Sequence, residues 1–312
     1  MARHLVNRFL SVLAAASCLL SCVSTNSGYR YGADLIRLQT VDDLHRLLTY
    51  HETRYPLISA HRGGPSAGYP ENAIETFEKN AQLQPIIIEC DVRITSDSVL
   101  VLMHDETVDR TTNASGKVSE LSLNDLKNVY LTDVDGNETP YRIPTLDEAL
   151  QWGKGKVVFT LDVKRDVPYS TVIRAIRRHK AEPYVVVITY NADQAATVHQ
   201  LAPDLMISAS IGSANDLLRL NEHNVPDSRL VAFVGTSEPD TAVYRLLHEH
   251  GILCILGTMG NLDDRASSRG DHLYAEWIDR GADILSTDRP VEAGKVLREY
   301  RQIHKLKSPF IN

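Results

Sequence analysis

Short apolar runs alternate with helix-like segments along most of this 312-residue chain, and this alternation limits the folds that it can adopt. Nine runs have the length and composition of buried strands: 57–60, 86–92, 99–103, 157–163, 184–189, 206–210, 230–234, 252–256 and 283–286. Helical patterns lie between several of them, at residues 73–83, 169–179, 192–201, 241–250 and 273–280. Because parallel strands need crossover connections, this order predicts an α/β fold with a mostly parallel sheet.

Two α/β architectures fit this order, a closed barrel and an open, doubly wound sheet. A barrel has eight strands and takes about 250 residues, which is most of this chain. Nine runs are one more than a barrel needs, and 230–234 is our candidate for an extra or distorted strand. The open sheet is weakened because no glycine-rich phosphate-binding fingerprint follows the first run.

The segment 107–141 differs from the rest of the chain. It is polar, contains Gly116 and Gly136, and has one amphipathic stretch at 122–129. We expect a small insertion after the third strand, lying on the C-terminal mouth, where loops usually build the active site of a barrel. Its apolar side chains fit either a packed helix or an apolar rim: Val118, Leu121, Leu123, Leu126 and Tyr130.

The first residues of the chain have the features of an export signal. A basic start precedes the apolar run 9–20, which is too short to span a bilayer as a mature helix. The run ends in Leu19-Leu20-Ser21-Cys22, which resembles a bacterial lipobox with Cys22 as the lipid-modified residue. Cys18 and an ordinary secretory signal are the alternatives. We therefore expect an exported bacterial lipoprotein, anchored to a membrane and facing the periplasm. The chain then has three parts: a signal at 1–21, a flexible tether at 22–40 and a barrel domain at 41–312.

The composition argues against nucleic acid as a partner. The net charge is −7 at pH 7, whereas binding to a phosphate polymer requires a basic surface. A hydrophobic content of 43% and a charged content of 23% are typical of a soluble globular domain, and they leave the oligomeric state open.

Two cysteines remain outside the signal, Cys90 and Cys254, and each lies in an apolar run. We interpret them as buried free thiols that pack as small hydrophobic side chains. Export would permit a disulfide, but no feature of the sequence brings the two together.

Carboxylates interrupt two of the predicted strands. Glu89 and Asp91 lie two residues apart, so their side chains point to the same face, and Asp162 and Lys164 repeat this spacing. A buried carboxylate is costly unless it is paired or bound to a cation. The acids therefore predict a site for a hard divalent cation, Ca²⁺ or Mg²⁺, or else structural ion pairs with Lys164 or Arg62. Three inward acids together with two histidines favour the functional interpretation.

The two histidines, His61 and His104, each follow a predicted strand. That is where a barrel places its catalytic residues, and two imidazoles can serve as a general acid and a general base. A histidine at a strand end is more often a hydrogen-bonded core residue, but two in matched positions beside inward acids indicate catalysis. Arg62 next to them suits an anionic oxygen group.

The chain resembles the glycerophosphodiester phosphodiesterase family over about residues 57–295. The motifs that carry the resemblance are His61-Arg62-Gly63, Pro70-Glu71-Asn72 with Thr76-Phe77, Glu89-Cys90-Asp91-Val92, Thr95, His104-Asp105, Asp109-Arg110-Thr111-Thr112 with Gly116, and the closing segment Gly281–Pro290.

The resemblance implies a TIM (β/α)₈ barrel with a small insertion, and a role for each motif residue. His61 and His104 would be the acid and the base, Arg62 and Lys164 would hold phosphate, and Asn72 would support the site. Glu89 and Asp91 would bind the divalent cation with Asp162, where the family usually has Glu. Two other departures are Ala73 in place of Thr, and the stretch 256–261, which lacks the family's tryptophan.

These observations together predict a metal-dependent enzyme that cleaves a small-molecule glycerophosphodiester. The products would be glycerol phosphate, or another phosphomonoester, and a free alcohol. A phospholipase of the C or D type acting on membrane lipid is one alternative. A non-catalytic solute-binding lipoprotein is the other, although binding alone does not need paired proton-transfer groups.

Overall fold

A computed structural model describes residues 35–311, and within them eight parallel strands close into a barrel with helices around it. Three further strands, β3 to β5, lie outside the closed ring. The strands in chain order are β1 (Leu57–Ala60), β2 (Ile86–Ile94), β3 (Leu100–Leu102), β4 (Tyr130–Thr132), β5 (Glu138–Arg142), β6 (Val158–Val163), β7 (Val185–Thr189), β8 (Met206–Ser210), β9 (Leu230–Phe233), β10 (Cys254–Gly257) and β11 (Ile284–Thr287).

Helices connect the barrel strands and cover the outside of the sheet. They are α1 (Val41–Leu47), α2 (Ile74–Ala81), α3 (Leu123–Leu126), α4 (Leu146–Gly153), α5 (Tyr169–His179), α6 (Ala192–Leu201), α7 (Ala214–Glu222), α8 (Thr241–Glu249), α9 (Asn261–Arg269), α10 (Leu273–Arg280) and α11 (Pro290–Ile303). The predicted bounds of α5, α6 and α10 are confirmed. Capping boxes at Thr40, Ser122 and Thr145 fix the starts of α1, α3 and α4, because each side chain satisfies a backbone N–H of the first turn.

The ring closes between β1 and β2. Parallel pairing runs from β1 through β11, β10, β9, β8, β7 and β6 to β2, and Ile58 of β1 pairs with Ile86 of β2. Most barrel-strand residues are buried on both faces, since side chains fill the barrel interior and helices cover its outside. The TIM barrel predicted for this chain is therefore confirmed, and the open sheet is excluded.

The prediction of which run lies outside the barrel was wrong. Residues 230–233 form a regular barrel strand, β9, whereas β3 pairs antiparallel with the end of β2, with Val92 opposite Leu102. The turn between them is closed by hydrogen bonds from Thr95 N to Val99 O and from Ser98 N to Thr95 O. A connection this short allows a hairpin but not the crossover that a parallel strand needs.

The predicted insertion forms a small lobe with its own core. It contains α3 and the β4–β5 hairpin, and its apolar side chains pack against Val101 and Met103 at the end of the β2–β3 hairpin. Val118 and Leu126 are fully buried, and Leu121, Leu123 and Tyr130 are partly buried. The four aliphatic residues belong to this core or pack against it, and the Tyr130 ring lies against the Arg142 guanidinium, so the five do not form an apolar rim.

The described end of the predicted tether is part of the folded domain. Ile36 and Leu38 are buried, and Ile36 N and Arg37 N donate to Lys156 O and Phe310 O. The boundary at residue 40 was therefore too late, because a tether should not bury apolar side chains. The predicted signal at 1–21, with Cys18 and Cys22, lies outside the described residues.

Cys90 and Cys254 are both buried and free, as predicted. Across residues 35–311, none of the helices has both the length and the apolar character required to cross a bilayer.

Candidate active site

A cavity of about 230 Å³ opens at the carboxyl ends of the barrel strands. Its charged lining residues all come from β1, β2, β3, β6 and the turns that follow them: His61, Glu89, Asp91, His104, Asp162 and Lys164. The opposite wall, from β7 to β11, is uncharged and includes Tyr190, Ser208, Phe233, Ile255 and Met259. One side of the cavity is therefore suited to an ionic group and the other to a neutral one.

Three carboxylates meet on the charged side, as predicted. Glu89 and Asp91 point inward from β2, and Asp162 lies beside Asp91 on the neighbouring strand β6. All three are buried, and one oxygen from each lies within 4.8 Å of the other two. Burial and the charge of Asp91 raise the pKa of Glu89 to about 8, because neighbouring carboxylates repel one another away from water.

Lys164 and Asn72 compensate part of this negative charge. Lys164 Nζ donates to Asp91 Oδ1 and to Asp162 Oδ2, each at 2.6 Å. Asn72 Nδ2 donates to Asp91 Oδ2 at 2.8 Å, and Asp91 N donates back to Asn72 Oδ1. Burial alone would raise the pKa of Asp91, but Lys164 and Asn72 together lower it. The predicted supporting role of Asn72 is consistent with this double contact.

The acidic cluster fits a hard divalent cation. It supplies carboxylate oxygens, the ligand type that Ca²⁺ and Mg²⁺ take, and the cluster contains neither cysteine nor histidine. Asp162 Oδ1 is buried and has no hydrogen bond of regular geometry within the described range, although the Tyr190 hydroxyl lies near this carboxylate. An acceptor in that state is expensive unless something else binds it, and a cation would do so.

His61 begins a short 3₁₀ turn directly after β1 and pairs with a carboxylate. Its Nδ1 lies 2.7 Å from Oδ1 of Asp288, which follows β11. Burial lowers the pKa of His61, but the hydrogen bond to Asp288 and the charges of Glu89 and Asp288 outweigh it and raise the pKa overall. Asp263 fixes the far end of this pair, because its buried carboxylate accepts from Asp288 N at 2.8 Å.

His104 follows β3 and has the same kind of partner. Its Nδ1 lies 2.6 Å from Oδ1 of Asp105. A carboxylate at Nδ1 favours the tautomer with the proton there and leaves Nε2 to exchange a proton with a ligand. The two predicted histidines therefore line one cavity with equivalent support, although they come from different strands.

Arg62 directly follows the cavity residue His61, in a tight turn where its backbone is left-handed. Its φ is +52°, and its backbone N donates to Glu89 Oε2 at 2.7 Å. Its Nε is buried, lies 4.0 Å from Asp91 Oδ2 and donates no hydrogen bond to any residue within 35–311. The next residue, Gly63, has a φ of +84°. Only glycine fits there, because a Cβ would lie 2.3 Å from the Phe77 ring.

Sequence reasoning missed the carboxylates that hold the histidines. Asp105 and Asp288 were both in quoted motifs, but neither was given a role. The signal was present for Asp288, since an acid directly after the last strand occupies the same barrel level as His61. Asp263 lies inside α9 and has no such signal. On the uncharged wall, Met259 lies in the stretch that lacks the family's tryptophan, and Phe233 supplies an aromatic ring there.

The protein has the features of a barrel-fold hydrolase. Its parallel barrel carries two histidine–carboxylate pairs, buried acids and basic side chains at its mouth. Comparison with known protein families identifies the family within this class. The chain belongs to the glycerophosphoryl diester phosphodiesterase family, whose sequence model matches residues 61–291. It is therefore an enzyme of the phosphoric diester hydrolase class, as predicted.

Relatives and solved structures agree with this assignment. A crystal structure of a glycerophosphoryl diester phosphodiesterase from Parabacteroides distasonis has a TM-score of 0.80 and 36% identity, covering 86% of this chain and 95% of that one. A glycerophosphodiester phosphodiesterase from Caldanaerobacter subterraneus is 34% identical over 158 residues, which is 48% of this chain and 65% of that protein. One from Bacillus subtilis is 27% identical over 78% of this chain and 87% of its own length.

A more distant likeness supports the fold alone. A phosphodiesterase from Oleispira antarctica, solved in complex with the product sn-glycerol-3-phosphate, has a TM-score of 0.62 and 18% identity. The likeness covers 82% of this chain and 99% of that one.

Proposed function

We propose that this enzyme hydrolyses glycerophosphodiesters to glycerol phosphate, or another phosphomonoester, and a free alcohol, with Ca²⁺ or Mg²⁺ as its cofactor. One observation carries the proposal: a single cavity brings two carboxylate-supported histidines to a cluster of three buried acids. The family assignment supports the same reaction.

Glu89, Asp91 and Asp162 would hold the cation, because they form the acidic cluster with an unpartnered buried oxygen. A divalent cation bound there would neutralise charge that develops on phosphate and lower the pKa of the attacking hydroxyl. Asn72 keeps Asp91 in place through its two hydrogen bonds, and the backbone N–H of Arg62 orients Glu89.

Basic side chains would bind the phosphate. Arg62 offers the N–H of Nε, and Lys164 is a compact positive charge that already lies between Asp91 and Asp162. Lys164 lines the charged side of the cavity and Arg62 directly follows the lining residue His61, so the alcohol portion of the substrate would rest against the uncharged wall.

The two histidines would move the protons. One imidazole accepts a proton from the attacking hydroxyl as its oxygen bonds to phosphorus, and the other donates a proton to the leaving oxygen as its bond to phosphorus breaks. Water can supply the attacking oxygen directly. Alternatively, the substrate's own glycerol 2-hydroxyl attacks first and forms a cyclic phosphodiester as the alcohol leaves, and water then opens this ring to glycerol phosphate. Asp288 and Asp105 hold the rings and stabilise the imidazolium that forms after proton uptake.

Incubation of the purified protein with a panel of glycerophosphodiesters is expected to release a phosphomonoester in the presence of Ca²⁺ or Mg²⁺. Phosphorus NMR would identify the product, and intact phospholipid vesicles would serve as the comparison substrate. Cleavage of the vesicle phospholipid alone, to a phosphorylated headgroup or to phosphatidate, would instead support the phospholipase alternative. Binding without turnover of any substrate would support the solute-binding one.

We also propose that Cys22 carries lipid and anchors the exported protein to a bacterial membrane, with the enzyme facing the periplasm. The support is the sequence Leu19-Leu20-Ser21-Cys22 at the end of the short apolar run. Replacing Cys22 by alanine should move the protein from the membrane fraction to a soluble exported one. Fractionation and immunoblotting would measure this, and unchanged membrane partitioning would contradict the anchor.

A further inference from the structure

Arg110 belongs to the motif Asp109-Arg110-Thr111-Thr112, to which the proposed reaction assigns no role. It lies at the start of the insertion, and its side chain is about half exposed and pairs with Asp105, the neighbour of the cavity residue His104. The ion pairs of an exposed arginine usually contribute little to stability, since water screens them. The surroundings of Arg110 differ from that case in two ways.

First, the backbone on either side of Arg110 is held. Thr111 and Thr112 are both buried, and Thr112 Oγ1 donates to Val108 O at 2.7 Å. Asp109 Oδ2 accepts from Gly116 N at 3.2 Å. These contacts fix the backbone of the turn, and they therefore fix the position of the Arg110 Cα from which the guanidinium extends.

Second, the guanidinium bridges two carboxylates with paired hydrogen bonds. Its Nη1 and Nη2 donate to Glu71 Oε2 and Oε1 at 3.0 and 2.8 Å. Its Nε and Nη2 donate to Asp105 Oδ2 and Oδ1 at 2.7 and 3.1 Å. Such paired contacts set the orientation of both carboxylates as well as their distance, which a point charge does not do.

Each of these two carboxylates contacts a different residue of the proposed active site. Asp105 pairs with Nδ1 of His104, and Glu71 accepts from Nη1 of Arg62 at 3.2 Å. The hydrogen bonds from Arg110 are also the main cause of the lowered pKa of Asp105, so that carboxylate stays ionised beside the imidazole. One side chain thus contacts the partner of a proton-transfer group and the partner of a phosphate-binding group.

We infer that Arg110 is a positioning residue that fixes His104 through Asp105 and Arg62 through Glu71. The inference rests on the proposed phosphodiesterase function. Without the paired hydrogen bonds from the guanidinium, both carboxylates could rotate. Misplacement of catalytic groups by about 1 Å can lower the rate 10²-fold.

Arg110→Ala tests this positioning role. Arg110→Lys is the conservative variant, because it keeps the positive charge but cannot form the paired hydrogen bonds of a guanidinium. Arg177→Ala is a matched control, because Arg177 also bridges two carboxylates, Asp204 and Glu182, at similar exposure but does not line the cavity. Thermal unfolding would check each fold. Steady-state kinetics and calorimetric titration with glycerol 3-phosphate would separate turnover from binding.

Arg110→Ala is expected to lower kcat roughly 10- to 100-fold and to weaken glycerol 3-phosphate binding, while Arg177→Ala changes neither. Arg110→Lys should recover only a minor part of the activity, and millimolar guanidinium should raise kcat of Arg110→Ala alone. Should Arg110→Ala fail to fold, Arg110→Lys decides by the same kinetics.

Full activity of Arg110→Lys, or of Arg110→Ala, in an assay where the wild type turns over would overturn the inference and leave the proposed function standing. Failure of the wild type itself to turn over glycerophosphodiesters would instead defeat the function on which the inference rests.

Discussion

Replacing either His61 or His104 by alanine is expected to lower kcat by roughly 10²–10⁴-fold, the usual contribution of a positioned proton-transfer group. Both imidazoles line the cavity, and a carboxylate holds Nδ1 of each. Neither belongs to the acidic cluster, so cation affinity should be retained in both variants. Steady-state kinetics would measure the first effect and calorimetric titration with Ca²⁺ or Mg²⁺ the second.

His250→Ala is the matched control for these variants. His250 also pairs through Nδ1 with a carboxylate, that of Asp227 at 2.7 Å, but it lies outside the cavity. Its replacement should leave kcat unchanged. Near-normal turnover by both His61→Ala and His104→Ala would show that the mechanism is wrong and that the family likeness describes only the fold.

The sequence was sufficient to predict the parts of the fold that follow from local pattern. Apolar runs bounded by turns located the barrel strands, and the 3.6-residue period located α5, α6 and α10. The same-face rule also placed Glu89 and Asp91 together, because residues two apart on a strand share a side. Each of these depends only on neighbours in the chain.

The sequence did not predict contacts between residues that lie far apart in the chain. The runs that became β3 and β9 look alike as sequence, and only the short connection after Ile94 distinguishes a hairpin from a crossover. The pair of His61 with Asp288 spans 227 residues and depends on barrel closure. Arg110 and Glu71 are 39 residues apart, and no periodicity links them. Such contacts appear only when the strands are placed in order.

The choice of Asp162 also has a structural context that the sequence could not give. A glutamate in the family's usual position would have a longer side chain, whereas Asp162 Oδ2 already lies 2.6 Å from Lys164 Nζ. Its other oxygen stays buried and unpartnered by residues 35–311. One oxygen of Asp162 thus pairs with the lysine, and the other would be left for the proposed cation.

Glu89→Gln is expected to lower cation affinity and activity together, each by at least about 10- to 100-fold, since even outer partners of a metal site contribute that much. The effect on stability should have the opposite sign. Burial and the neighbouring Asp91 raise the pKa of Glu89 to about 8, so near neutral pH and without cation the wild type must take up a proton on folding. The neutral amide avoids that cost, so the variant should then unfold at a higher temperature than the wild type.

Chelation separates these two effects. Exhaustive treatment with EDTA should remove wild-type activity, and added Ca²⁺ or Mg²⁺ should restore both activity and thermal stability, because a ligand that binds only the folded state stabilises it. Glu89→Gln should show little such shift. Glu276→Gln, which changes an acid outside the cavity, is the control and should respond to cation as the wild type does.

Asp162→Glu provides the sharpest test of the third ligand. It restores the family's usual side-chain length, so cation affinity should be kept or rise if Asp162 faces the ion. The unpartnered Oδ1 supports that orientation, because a purely structural acid would have both oxygens satisfied. Affinity lost with the fold intact would show that this site does not accept the family's usual side-chain length at position 162. Loss of folding would identify Asp162 as a packed partner of Lys164. Full wild-type activity after exhaustive chelation would rule out a cation role for all three acids.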